Sequence, residues 1–159
     1  MNGVIVFLTV LMSYIYFDKF PIPDTGVGPV DYTLRSFFHA NLIHLGINMF
    51  TLWQISDVTK TFTTIQFINL IIFLTLSSSF ILYIINTIFP STKAITVGFS
   101  AVIFGLFVVF QKILGHDLIH IGTINFVQIL PQLLIPGISF WGHVSGIISG
   151  LIYVLFNNM

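Results

Sequence analysis

Residues that could do chemistry gather in three short stretches: HANLIHLGIN (His39–Asn48), GFSAVIFG (Gly98–Gly105) and GHVSGIISG (Gly142–Gly150). They hold three of the five histidines, in runs that are otherwise largely apolar. Most chemistries open to histidine are excluded by what the chain lacks. It has no Glu, so an HExxH zinc site cannot form. His39 and His44 are five apart, about 140° around a helix, and so would not share a face as i,i+4 metal ligands do. Asp18, Asp24, Asp31, Asp57 and Asp117 all fall in segments that read as loops, leaving no carboxylate pair for aspartyl chemistry. Without cysteine there is no thiolate and no disulfide. A serine nucleophile with a histidine base remains. Ser100 and His143 can supply it without an acidic third member if packing orients the imidazole.

The same stretches contain groups that could serve such a pair. His44 and Asn48 are i,i+4 and share a helix face, so both side chains could donate to one point, as an oxyanion hole requires. The Ser100 N–H, at a helix start, is a natural third donor because first-turn amides lack intrahelical partners. Gly142, Gly146 and Gly150 form a small-residue strip, with Gly98, Ala101 and Gly105 as its counterpart. Such strips let two membrane helices approach closely, which would bring Ser100 within hydrogen-bond reach of His143. Phe104, one turn after Ser100, could lay its ring on the imidazole.

The elements that must position these residues are membrane helices. The 159 residues are 56% hydrophobic and 6% charged, with mean hydropathy +1.03, far from a soluble domain's roughly one-quarter charged. Five aspartates balance four lysines and one arginine, giving no case for a nucleic-acid partner. The apolar N-terminus lacks a basic region and a small-residue cleavage site, so it reads as a retained helix and not a signal peptide. Apolar runs predict six spans at about 3–17, 38–56, 62–88, 98–113, 119–135 and 140–156, in one membrane domain covering 1–159. "PSTK" precedes the fourth span, and Pro136-Gly137 separates the fifth from the sixth. Six crossings put the loops before the second, fourth and sixth helices on one side. His39, His44, Ser100 and His143 would then share one leaflet and one depth. His116 and His120 fall on the opposite side and read as interfacial; Ser77, Ser78 and Ser79 read as helix packing. Lys and Arg are too evenly divided to orient the chain.

The three stretches, in order, resemble the motifs of the rhomboid family of intramembrane serine proteases. "HANLIHLGINM" resembles the family's His-x4-His-x3-Asn signature, "GFSAVIFGL" its Gly-x-Ser-Gly motif and "GHVSGIISG" its Gly-His-x2-Gly-x3-Gly motif. The likeness runs from about residue 35 to the C-terminus. It implies an all-α, six-transmembrane-helix bundle with a Ser100–His143 dyad. It further implies oxyanion donors at His44, Asn48 and the Ser100 amide, with His39 supporting the site. Substrates would be membrane-anchored proteins cut within or beside a transmembrane segment, with no cofactor and no metal. The site would open on the non-cytoplasmic side, with both termini in the cytosol. Three positions depart from the pattern: Ala101 follows the serine in place of glycine, the Trp-Arg pair common in the first loop is missing with Asp31-Tyr32 nearby instead, and Ser56 stands where a glycine is usual. None removes a reacting group.

Two other functions fit parts of the chain. A catalytically silent rhomboid-like protein that binds transmembrane clients agrees with Ala101 and the minimal loops, but retention of Ser100 and His143 argues against it. A channel or transporter lacks support, since the chain shows no internal repeat and no charge deep inside a span, Lys112 lying at the end of the fourth. Proline at 131 and Pro136-Gly137 suggest that the fifth helix is a mobile gate for a substrate helix.

Overall fold

The computed structural model describes residues 3–89, 95–134, 138–157 and 159. All regular structure among them is helical: α1 (Gly3–Phe17), α2 (Gly28–Arg35), α3 (Leu42–Gln54), α4 (Thr64–Ile88), α5 (Ser100–Ile113), α6 (Leu118–Ile129) and α7 (Phe140–Phe156). Two helices continue in tighter 3₁₀ form, α3 through Ile55–Thr61 and α6 through Leu130–Leu134.

Local chemistry sets the boundaries, and several differ from the apolar runs. The Asn41 side chain accepts the His44 N–H at 2.8 Å, capping α3 so that it begins at Leu42 and not near residue 38. Gly98 adopts φ +116°, a conformation that interrupts a helix, and α5 therefore begins at Ser100. Pro131 has no N–H to donate, and the regular turns of α6 end just before it. Thr63 and Gln66 exchange side-chain and backbone bonds in a capping box that starts α4. The expected breaks at "PSTK" and Pro136-Gly137 lie outside the described residues.

The polar segment after α1, expected as loop because of its Pro, Gly and Asp content, contains α2. Pro29 opens that helix, and Asp31 and Arg35 lie near opposite ends of it. Asp31 Oδ1 accepts the Thr25 N–H at 2.6 Å, which holds its carboxyl below the ordinary carboxylate range. Asn86 Nδ2 donates to Tyr32 Oη at 2.9 Å, and the Tyr32 and Tyr83 rings meet edge-on, tying α2 to α4. The Gly98 N–H donates to the Arg35 carbonyl at 3.1 Å, linking the end of α2 to the start of α5.

The packed centre is α5. Its Val102, Leu106, Val108 and Val109, with Phe99 just before it, are fully buried with Phe67, Leu70 and Leu74 of α4, Ile5 and Met12 of α1, and Leu52 of α3. The exterior is apolar as well: Phe7, Ile43, Ile65, Phe80, Ile119 and Phe126 all face outward. Inside lie Asn48, Thr75, Ser78, Asn125, Ser145 and Ser149. Thr75 and Ser145 donate to carbonyls of their own helices, and Asn125 donates to Gln111 Oε1 at 2.8 Å. Apolar surface outside and polar groups inside, most of them hydrogen-bonded, is a distribution suited to hydrocarbon. Among the described residues one helix, α4, is by length and composition long and apolar enough to cross a bilayer alone. The Gly3–Phe17, Ser100–Ile113, Leu118–Leu134 and Phe140–Phe156 helices are apolar but shorter.

Candidate active site

Ser100 is the first residue of α5 and His143 the fourth of α7, so their separation depends on how closely these helices lie. They lie very close. A Cβ at Gly146 would overlap the Ala101 carbonyl, and one at Gly150 would come within 2.6 Å of the Gly105 carbonyl oxygen and 2.7 Å of Val108 Cβ. A Cβ at Gly105 would meet the Gly146 carbonyl oxygen at 3.1 Å and Leu74 Cδ2 at 2.8 Å. The seam is thus Ala101 and Gly105 against Gly146 and Gly150. Gly98 and Gly142, expected in the same seam, have other neighbours. The atoms nearest a Cβ at Gly142 are in Ser139 and Thr96, and those nearest one at Gly98 are in His44 and Asn48.

One turn before Gly146, His143 is carried to the start of α5. Its Nε2 lies 2.9 Å from Ser100 Oγ. The Phe104 ring lies against the imidazole, centroids 4.6 Å apart and planes 33° from parallel. His143 is 8% exposed, so its ring is fixed by packing on one face and by bonds at both nitrogens. Ser139 caps α7 by accepting the Gly142 N–H at 3.1 Å, and its hydroxyl is 3.2 Å from that of Thr96 in the segment entering α5. Both helix starts are therefore joined beside the pair.

His44 and Asn48, one turn apart on α3, converge on Gly98, two residues before Ser100. Asn48 is 3% exposed and its Nδ2 has no acceptor within the protein, a costly state for a buried amide. The start of α5 has the same character. Asn41, Thr63, Asp117 and Ser139 cap α3, α4, α6 and α7 through their side chains, whereas no side chain caps α5. Donors without acceptors thus lie on two elements flanking Ser100, an arrangement that can receive developing negative charge.

The structure corrects the relation between His39 and His44. Because Asn41 starts the helix, His39 lies outside it, and the expected 140° separation does not hold. The two rings meet edge-on, centroids 5.1 Å apart. His39 is buried with neither ring nitrogen bonded, so it backs His44 by packing. His116 and His120 stack on each other beyond the other end of α5, away from the pair.

One neighbour of His143 escaped the sequence reading. Gln132, in the 3₁₀ segment after α6, places Oε1 against His143 Nδ1. Among the described residues no carboxylate bonds the ring. The available signal was that Gln132 is the one polar side chain between Gln128 and Ser139.

Comparison with known proteins gives one result at two scales. A family model described as the Rhomboid domain matches residues 30–157. A protein of Acanthamoeba polyphaga mimivirus, named as a rhomboid protein, is 37% identical over 157 residues, which cover 98% of this chain and 91% of the relative.

Proposed function

The chain belongs to the rhomboid family of integral membrane proteins, and from that premise we propose that it is an intramembrane serine protease with Ser100 as nucleophile and His143 as base. The observation that carries the reading is the 2.9 Å separation of His143 Nε2 and Ser100 Oγ. In the proposed reaction Ser100 Oγ attacks the scissile carbonyl carbon while Nε2 takes its proton. The oxyanion is held by the Ser100 N–H, His44 and Asn48. The imidazolium returns the proton to the leaving amine, and water, activated by the same nitrogen, hydrolyses the acyl-enzyme. Asn48 Nδ2 and the uncapped start of α5 support the oxyanion assignment, because both are donors left without a protein side-chain acceptor beside Ser100.

The proposal includes six crossings, by α1, α3, α4, α5, α6 with its 3₁₀ extension, and α7, with α2 at one surface. The 14 residues of α5 reach about 21 Å, short of the roughly 30 Å hydrocarbon core. With Lys112 at one interface, Ser100 would sit inside the membrane. Substrates are then membrane-anchored proteins whose transmembrane segment reaches that depth. Ala101 borders a small cavity with Ser78, Gly98 and Ser145, and with alanine at this position His143 Nε2 lies 2.9 Å from Ser100 Oγ.

Reconstitution into liposomes with a panel of transmembrane reporters tests this. Wild type should cleave at least one reporter, and Ser100→Ala and His143→Ala should cleave none. Cleavage surviving either substitution would sink the dyad. Reporter binding without cleavage by any form would point to a client-binding rhomboid instead.

A further inference from the structure

We propose that Gln132 is a positioning residue for His143, fixing its tautomer and tying the readiness of the base to the seating of the segment after α6. The inference rests on the dyad reading and adds a third member to it.

The amide orientation follows from two contacts. Gln132 Nε2 donates to the Gln128 carbonyl at 3.3 Å, and Oε1 faces His143 Nδ1. Reversing the amide would set its oxygen against the Gln128 carbonyl oxygen, two acceptors facing each other, so only the first orientation satisfies both ends. Oε1 can only accept, and His143 Nδ1 must therefore carry the proton. A neutral imidazole has one N–H, so Nε2 presents its lone pair to the Ser100 hydroxyl. That is the state a general base needs. Among the described residues no carboxylate approaches the ring, and the glutamine amide fills the place an acid holds in other serine hydrolases.

Gln132 sits on a lightly held element. In α6 only Ile121, Asn125 and Ile129 are buried, and Leu130, Leu133 and Leu134 of the 3₁₀ segment face outward, Leu134 at 86% exposure. The bond to His143 joins this segment to α7. A transmembrane segment entering past it would displace Gln132 and release the proton on Nδ1 to either nitrogen. Reseating restores the competent tautomer, so the base is ready when the segment is closed.

The test combines a spectroscopic and a kinetic reading on the full chain in lipid nanodiscs. With ¹⁵N-labelled histidine, and His143 assigned by difference from His143→Asn, wild type should show a protonated Nδ1 and an unprotonated Nε2. Gln132→Met keeps the length without the acceptor, and Gln132→Asn is too short to reach. Both should give mixed tautomers and lower kcat by roughly ten- to a hundredfold, less than the full 10²–10⁴-fold that general-base catalysis contributes, because the base is mispositioned and not removed. KM should stay within about twofold. Gln132→Glu keeps an acceptor and should restore the wild-type tautomer and most of kcat. A wild-type tautomer and kcat in Gln132→Met or Gln132→Asn would overturn the inference. If wild type cleaves no reporter, the protease reading fails, and the tautomer pattern still decides the role of Gln132 separately.

Discussion

The two elements flanking the proposed base are held in opposite ways. Helix α7 meets α5 backbone to backbone, with Gly146 against the Ala101 carbonyl, and joins α4 through Ser149 and Ser77. Helix α6 meets its neighbours along one thin stripe and turns Ile119, Phe126 and Val127 outward, as its 3₁₀ extension does Leu133. A bond between two reacting atoms needs a fixed separation, and small residues provide it by removing side chains from between the helices. Access for a long substrate needs an element that can yield, and few buried contacts provide that. The proposed enzyme would keep both by placing Ser100 and His143 on the tight pair and leaving the neighbour loose.

The contrast is broken most severely at the seam. Gly146→Leu would force α5 and α7 apart, costing about 1–3 kcal/mol as overpacking does and more if the backbones cannot yield. Unfolding in detergent should show the loss, and cleavage should fall to background. Unchanged stability would mean that the two backbones do not touch at Gly146.

Asn48→Ala removes a proposed oxyanion donor that bonds to nothing in the resting protein. Cleavage should drop by about 10²–10³-fold while the melting temperature stays put, since truncating an unpaired buried amide forfeits no hydrogen bond. A matching loss of stability and activity would assign Asn48 to packing. Gly98→Ala should act in the same direction, because φ +116° disfavours a side chain and the new Cβ would push the His44 ring.

Weaker effects belong to the loose side. Asp117 caps α6 by accepting the His120 N–H at 2.8 Å, which holds its carboxyl below the ordinary value of 3.8. A lowered folded-state pKa means the cap contributes fully above the unfolded value and loses its contribution as pH falls through the folded one. Wild type should therefore lose stability relative to Asp117→Asn as pH falls below about 4, and parallel melting curves would contradict the cap. Smallest of all, Ile119→Ala, on a side chain 83% exposed, should change stability by no more than about 0.5 kcal/mol. A larger loss would show α6 to be better anchored than its burial indicates.

What could be read in advance follows the range of each interaction. Helices lie along all six apolar runs because burial and periodicity are properties of contiguous residues. The approach of Ser100, Phe104 and His143 was visible because glycine spacing reports helix proximity directly. Positions governed by one local bond are not legible in this way. Asn41 as a cap moved His39 off the helix, and the dihedral of Gly98 moved the start of α5. Helix α2 was hidden because its eight residues depend on Tyr32 and Ser36 meeting α4. Gln132 was invisible as a partner, since nothing along the chain reports which face of a 3₁₀ segment meets another helix.

Labelling by a serine-directed fluorophosphonate in liposomes, with the adduct located by peptide mapping, tests the central claim most directly. It reads the activated nucleophile without requiring a substrate. An adduct on Ser100 that forms with wild type and is lost in His143→Ala is the predicted result. No adduct on Ser100, or one formed equally well without His143, would contradict the Ser–His reading.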